Sequence, residues 1–429
     1  MIQIDLPYGK GIISSLVPED EILGIIRPNS LPPVRDEQET ILNAIDHPVG
    51  CPSLSALARE GSRITILVDD ITRPTPTRTM LIPLLEKLHK LGVKNETIRI
   101  VFATGAHRKH TLVEQKFLLG EDVVRTIEVI DHDARDKQSL VHLGCTSRGT
   151  PVELNRIVVD ADLRIMLGLI KPHNEAGYSG GGKSLVPGVA GLATIMVNHG
   201  YESVFDANAV LGVIDGNPIR EDIEEVTGML SPCFIVNAVI NPEKRIIGVV
   251  AGDVVKAHRR GVEILDRMVK VRVPQPGNVV IVSCAYPVDI CLYQAINALV
   301  CPVRVRKPII RKGGIIVLTA QCPEGIGHRA FYKLLANAES PQVLLKKMSS
   351  PDFFEEDQYA AQVWAQVLTM ANVIVVTEGV SKEELSRLHV ESAASVEEAL
   401  QWSREKINSQ LEILVMPDAA YTIPVLENK

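Results

Sequence analysis

The sequence predicts an α/β protein of two domains, each with a mainly parallel sheet flanked by helices, and an active site in the cleft between them. Short β-branched runs alternate with longer helical patterns along the chain, as they do in parallel sheets whose strands are buried on both faces. The 429 residues, 46% of them hydrophobic, exceed what a single core usually organises. The run Val273 to Gly277, VPQPG, interrupts regular structure and reads as a linker. The expected domains are residues 1–272, residues 273–417 with a Rossmann-like pattern, and a tail over 418–429.

In the first domain, strands are expected at Arg63 to Asp70, Thr97 to Ala103, near Thr126 to Ile130, and at Leu163 to Ile170, with a helix near Arg78 to Leu91. Val189 to Val197 is apolar on all sides and reads as a buried helix. Glu243 to Arg272 reads as partly helical. The second domain offers strands at Asn278 to Cys284, Ile315 to Ala320, Val373 to Thr377 and Glu412 to Met416, separated by helical patterns such as Ser381 to Leu388 and Ser395 to Lys406.

A net charge of -7 supplies no basic face for nucleic acid. The seven cysteines form no CxxC pair, so neither a zinc site nor a disulfide framework is expected. No stretch approaches the roughly 18 to 20 apolar residues of a membrane span, and the start MIQIDLPYGKGIISS lacks the pattern of a signal peptide. The expected setting is the cytoplasm, with no membrane partner.

Ligands of open α/β sheets bind where strands end. Three expected strand ends carry polar groups: Asp69, Asp70, Thr72 and Arg73; Thr104, Gly105, His107 and Arg108; and Lys171, Pro172 and His173. In DDITRPTP, Pro74 pushes Arg73 toward extended geometry. There the guanidinium suits capture of a carboxylate or phosphate, although Asp and Thr in such a turn also serve as simple backbone caps. His107 reads either as a general acid or base or as a solvated loop residue. His110 and His132 read as solvated surface residues.

The segment Lys171 to Gly188, KPHNEAGYSGGGKSLVPG, formally contains the phosphate-loop pattern GxxxxGK[ST]. A phosphate loop starts at a strand end and opens straight into a helix. Here KPHNEA separates the strand from Gly177, and Leu185, Val186, Pro187 and Gly188 follow Ser184, which disfavours a nucleoside triphosphatase. Gly180, Gly181 and Gly182 instead permit close backbone approach to a bulky ligand, with Lys183 in their midst as a cation or, if neutral, a nucleophile. His199, sixteen positions beyond Lys183, is either a helix-end hydrogen-bond donor or one ligand of a metal whose other donors come from a cofactor.

Together DDITRP, ATGAHR, KPHNEAGYSGGGKS and the later His199 resemble the lactate racemase family, the nickel-pincer nucleotide racemases and epimerases, over nearly the whole chain. The resemblance implies a nickel-pincer nucleotide, pyridinium-3,5-bisthiocarboxylic acid mononucleotide with nickel, joined covalently to Lys183, with His199 as the nickel ligand. Asp70, Thr72 and the three glycines Gly180, Gly181 and Gly182 would help to hold it. It further implies that His107 and His173 are the paired acid/base residues. The C2 hydride of a 2-hydroxy acid would pass to the cofactor and return to the opposite face of a 2-keto acid. Separate biosynthetic enzymes would supply the cofactor.

Arg73 would bind the substrate, joined by Tyr293, Gln294 and Asn297 from the second-domain segment DICLYQAIN. Lactate racemases carry a substrate-binding lysine where this chain has Asn297. A neutral amide lacks the charge that complements a carboxylate, so a more hydroxylated acid, such as a sugar acid, is as good an expectation as lactate. Trp364 reads as a cleft residue or a packing residue. A phosphate-loop nucleoside triphosphatase and a non-catalytic binder of the nickel nucleotide are the alternatives, the latter leaving His107 and His173 without a task.

Overall fold

A computed structural model describes residues 1–350, 352–355 and 358–427. The chain opens with β1 (Ile2–Gly9), β2 (Gly11–Val17) and β3 (Ile22–Ile25). There follow α1 (Glu37–Asp46), β4 (Ile64–Asp69), α2 (Thr77–Lys90), β5 (Ile98–Ala103), α3 (Leu112–Leu119), β6 (Glu128–Asp131) and β7 (Leu163–Leu169). After the long Lys171 to Gly191 segment come α4 (Leu192–Asn198), α5 (Pro218–Met229), β8 (Cys233–Ile240), β9 (Ile246–Gly252), α6 (Lys256–Val269) and β10 (Lys270–Val273). The second half supplies β11 (Gly277–Ala285), α7 (Leu292–Leu299), β12 (Ile310–Thr319), α8 (Gln358–Met370), β13 (Asn372–Val376), β14 (Glu391–Ala393), β15 (Ile413–Met416) and β16 (Ile423–Leu426).

The first sheet runs β9, β8, β7, β4, β5, β6, parallel except for the antiparallel pair of β8 and β9. Every residue of β7 is buried, which explains its unbroken apolar run LRIMLGL: helices cover both faces, so no position needs to be polar. In the second sheet β14, β13, β12 and β11 lie side by side and parallel. The other edge of β11 takes β15 along Val279 to Val282 and the end of β1 at Cys284 and Ala285.

β1 to β3 therefore belong to the second sheet, with β1 pairing β11 and β3 pairing β15, and not to a first domain beginning at residue 1. The expected tail crosses the other way, because β16 pairs in parallel with β10. Sequence reading assigns short strands to the nearest neighbours along the chain, whereas edge positions accept any strand of suitable pattern. One apolar cluster then runs unbroken from Leu67 and Met166 in the first sheet to Val280 in the second and Trp364 in the helix beside it.

Three local expectations change. The helix α4 begins at Leu192, not Val189, and exposes Val197 to 44%; its apolar sequence does not report burial on every side. His110 and His132 are buried, not solvated. His110 stacks on Phe102 with ring centroids 4.1 Å apart, and its Nδ1 lies 2.5 Å from Asp131. His132 donates from Nε2 to the Ala190 carbonyl at 2.9 Å and accepts the Asn155 amide at Nδ1 at 3.2 Å. Trp364 is fully buried in α8, packs edge-on against Phe331 at 5.6 Å and donates to the Leu388 carbonyl at 3.0 Å.

Truncating that indole to methyl removes both the packing and a satisfied hydrogen bond. Trp364→Ala is expected to cost about 3–5 kcal/mol, measured as a lowered urea midpoint with little change in the first-domain histidine environments.

Candidate active site

The polar strand ends do meet. Asp70, just past β4, turns its carboxylate onto the loop after β5, where His107 Nδ1 lies 2.6 Å from Asp70 Oδ2. Gly105 makes that loop possible: its φ is +56° and its amide donates to the Gly188 carbonyl at 2.8 Å. The other carboxylate oxygen of Asp70 accepts the Thr72 amide at 2.8 Å and its hydroxyl at 2.5 Å. The buried His110 extends the support, since its Nε2 accepts the Ile71 amide at 3.1 Å. Asp70 thus fixes the imidazole of His107 through Nδ1–H and leaves Nε2 for chemistry. Burial alone would raise the Asp70 carboxyl, but the His107 hydrogen bond and charge, with Arg73 and Thr72, outweigh it and hold it down to about 2.

His173 stands across the site in a short hairpin, paired with Gly177. Its Nδ1 lies 3.2 Å from Glu175 Oε2 and 3.3 Å from the Ala176 amide. Burial, and then the charges of Lys183, Arg73, Lys171 and Arg220, push it well below the ordinary imidazole range. The two histidines therefore sit in opposite surroundings: His107 is 48% exposed beside a carboxylate, and His173 is enclosed among cations.

Lys183 lies in the turn Gly181–Ser184. Its Nζ is buried and has no hydrogen-bond partner among the described residues. Burial, then Arg220, with Arg73 and Lys171 acting in the same sense against Glu175, bring it down to about 7. An amine that is substantially neutral near pH 7 is a competent nucleophile. The loop that presents it is held from behind by side chains that sequence reading missed. Arg220 on α5 donates to the carbonyls of Ala176 (3.3 Å), Gly180 (3.2 Å) and Tyr178. Asn217, which caps α5, donates to the Glu175 carbonyl at 2.8 Å; Asn237 accepts the Gly181 amide at 2.8 Å; and His258 donates to the Ser179 carbonyl at 2.9 Å. In sequence Arg220 resembles one more charge on an amphipathic helix. The only hint was the pair Asn217-Pro218, a helix-start signal.

The glycines are used differently from the expectation. A Cβ on Gly180 would come within 2.8 Å of Asn237, on Gly181 within 3.1 Å of His258, and on Gly182 within 2.5 Å of Thr227. Their missing side chains let the loop pack against β8, α5 and α6, so the close approach is to the protein itself. The phosphate-loop reading loses its basis as well. The Gly181 amide is spent on Asn237 and that of Lys183 on the Gly180 carbonyl, and the next helix opens only at Leu192.

His199 follows α4, its backbone amide bonded to the Ile195 carbonyl at 2.9 Å. Its Nδ1 is buried and has no partner among the described residues. Burial and the Lys183 charge push it well below the ordinary range, leaving the neutral imidazole that metal ligation requires. The second domain closes this side. Tyr359 on α8 meets the His199 ring edge-on at 6.4 Å, and its hydroxyl lies 2.8 Å from that of Tyr293 on α7. Asn297 accepts the Asn174 amide at 3.0 Å, next to His173. Gln294 on α7 is exposed, and its carbonyl accepts the Asn297 amide at 2.8 Å. Of the expected residues, Thr72 and Arg73 sit beside Asp70, while Trp364 lies in the core.

Two parallel-sheet domains with ionisable groups gathered at adjoining strand ends define a two-domain α/β enzyme. Comparison with known proteins gives its kind. Models described as the lactate racemase N-terminal domain and C-terminal domain match residues 8–212 and 273–423. The chain is 33% identical over 428 residues to the lactate racemase of Thermoanaerobacterium thermosaccharolyticum, covering 99% of each chain, and 31% identical over 422 residues to that of Lactiplantibacillus plantarum, covering 97% of this chain and 98% of that one. The lactate racemase apoprotein structure from T. thermosaccharolyticum matches at a TM-score of 0.92 and 32% identity over 100% of both chains. A Thermotoga maritima protein shares the fold at 0.70 and 18% identity, over 93% of this chain and 100% of that one. The chain belongs to the lactate racemase family and is an isomerase.

Two predictions follow from the geometry. Asp70→Asn removes the carboxylate that orients His107 and is expected to lower turnover by roughly 10²–10⁴-fold while Lys183 remains reactive, as checked by steady-state rates. Arg220→Met removes a cation that holds Lys183 down. In cofactor-free protein the pH of half-maximal modification of Lys183 by cyanate, followed by peptide mass, is therefore expected near 7 in the unmodified sequence and higher in the variant.

Proposed function

We propose that the protein inverts C2 of a 2-hydroxy acid, using a nickel-pincer nucleotide anchored on Lys183 and ligated by His199. The observation that carries this reading is the pair of buried, unpartnered nitrogens, Lys183 Nζ and His199 Nδ1. A buried polar atom without a partner costs free energy, and two in one site fit groups kept for a ligand: an amine for the covalent link, an imidazole for the metal. When bound, the group supplies a reversible hydride acceptor for C2.

The chain's own residues perform the rest. Arg73, on its proline-stiffened turn, binds the substrate carboxylate and holds the planar 2-keto acid in place. His107, oriented by Asp70, and His173, whose Nδ1 accepts the Ala176 amide, serve opposite faces. One takes the hydroxyl proton of one enantiomer, and the other, in its protonated form, returns a proton to the oxygen of its mirror image. Two bases are needed because one imidazole cannot reach the hydroxyl of both enantiomers. Asp70 and Thr72 hold the cofactor edge. Gly180, Gly181 and Gly182 contribute indirectly, by seating the Lys183 loop. Tyr293, Gln294 and Asn297 close the substrate side.

The Asn174 and Asn297 amides beside His173 favour an acid richer in hydroxyls than lactate, a sugar acid among them, because an amide pair exchanges hydrogen bonds with hydroxyls and leaves a methyl group unmatched. Enzymes that build the cofactor are the expected partners, and the cytoplasm the expected compartment. Among the described residues no helix is long and apolar enough to cross a membrane.

The test is intact mass and nickel content after co-expression with the cofactor-making enzymes. A nucleotide-sized added mass and stoichiometric nickel are expected, both lost in Lys183→Ala, with His199→Ala keeping the mass and losing most of the nickel. Absence of both in the unmodified protein, with a lactate racemase loaded in parallel, would overturn the reading.

A further inference from the structure

One cation in the site has no role in the reaction just described. Lys171 follows β7, and its backbone is pinned in both directions by Ser179: its amide donates to Ser179 Oγ at 3.0 Å, and its carbonyl accepts the Ser179 amide at 2.9 Å. Its ammonium group makes no hydrogen bond or salt bridge among the described residues, and neither does the guanidinium of Arg73. The acid that acts on Lys171 is Asp69, whose Oδ2 is already engaged by the Thr75 hydroxyl at 2.6 Å. Asp70 is committed to His107, and Glu175 lies against the His173 ring at 3.2 Å. Arg73 and Lys171 therefore follow the ends of the neighbouring parallel strands β4 and β7, and Lys183 lies within reach of their charges.

Holding a half-buried, unpaired lysine beside other cations costs free energy that folding alone does not return. The cost is visible in its acidity: burial first, then Arg73, brings Lys171 down to about 7, with Asp69 opposing. An arrangement of this kind becomes favourable once an anion enters, because one charge then satisfies two donors.

We propose that Lys171 and Arg73 together form an anion-binding site on the first domain, with Lys171 a ligand-binding residue for a carboxylate or phosphate group. The proposal rests on the racemase reading for the identity of that anion, which has two sources: the carboxylate of the 2-hydroxy acid or the phosphate of the nucleotide. Lys171 also sits two residues from His173, so an anion held there lies beside the acid/base pair.

Cofactor-free protein, titrated calorimetrically with oxalate and separately with inorganic phosphate, tests the site without reference to nickel. The unmodified protein is expected to bind at least one anion. Lys171→Met should weaken that binding roughly ten- to hundredfold, whereas Lys171→Arg stays within about threefold because its charge survives. In co-expressed, loaded protein the sources separate. A raised KM with full loading of Lys183 identifies the substrate carboxylate, and reduced loading with an unchanged KM identifies the nucleotide phosphate.

A measurement without any variant guards against misfolding. Titrations of the unmodified protein near pH 7 in buffers of different ionisation enthalpy should show proton uptake on anion binding, as the anion draws Lys171 back to its charged form. The proposal fails if neither anion binds, if binding takes up no proton, or if Lys171→Met matches the unmodified protein in affinity, KM and loading. A protein that lacks nickel yet binds oxalate through Lys171 would instead leave this site standing and remove the racemase reading.

Discussion

The constraint on which the site depends is the buried guanidinium of Arg220, whose donors engage three carbonyls of one irregular loop. An irregular segment inside a protein leaves backbone oxygens that must find partners, and the loop from Ala176 to Gly180 has neither a helix nor a long ladder to supply them. Arg220 answers that need from a helix that is itself capped by a residue touching the same loop, Asn217. The same charge lowers the basicity of Lys183. Scaffold and reactivity are thus set by one side chain, and the three glycines make the arrangement sterically possible by letting β8, α5 and α6 approach.

Electrostatics divides the site into two regions. On the β4 and β5 side, carboxylates dominate: Asp70 keeps its charge and grips His107, and Asp131 grips His110. On the β7 side, cations accumulate around His173, with the Glu175 carboxylate 3.2 Å from its ring. Strands side by side in one sheet thus place two histidines in unlike surroundings, the condition that sets two ionisable groups apart in acidity.

Much of this was legible in the sequence, because parallel strands buried on both faces write themselves as apolar runs. RITILVDD, TIRIVFA and LRIMLGLI each became a strand within a residue or two of expectation. Strand-end residues were legible for the same reason: a polar group directly after such a run has to lie at the sheet edge. What stayed hidden depends on pairings far apart in sequence. His110 and His132 look like loop histidines until Phe102, Asp131, Asn155 and Ala190 are seen around them. Arg220 looks like a surface charge until the loop folds over it. The glycine run signalled close contact, expected with a bulky ligand, whereas its near neighbours are Asn237, His258 and Thr227.

The exchange of strands between the two halves has a mechanical consequence. The chain crosses between them near residues 26 to 34, again at the β10 to β11 junction, and finally through β16, which leaves the second half to pair with β10. Three crossings gathered along one border act as a strap hinge and not as a single flexible thread. The meetings of Asn174 with Asn297 and of His199 with Tyr359, by contrast, are side-chain contacts through which no strand passes.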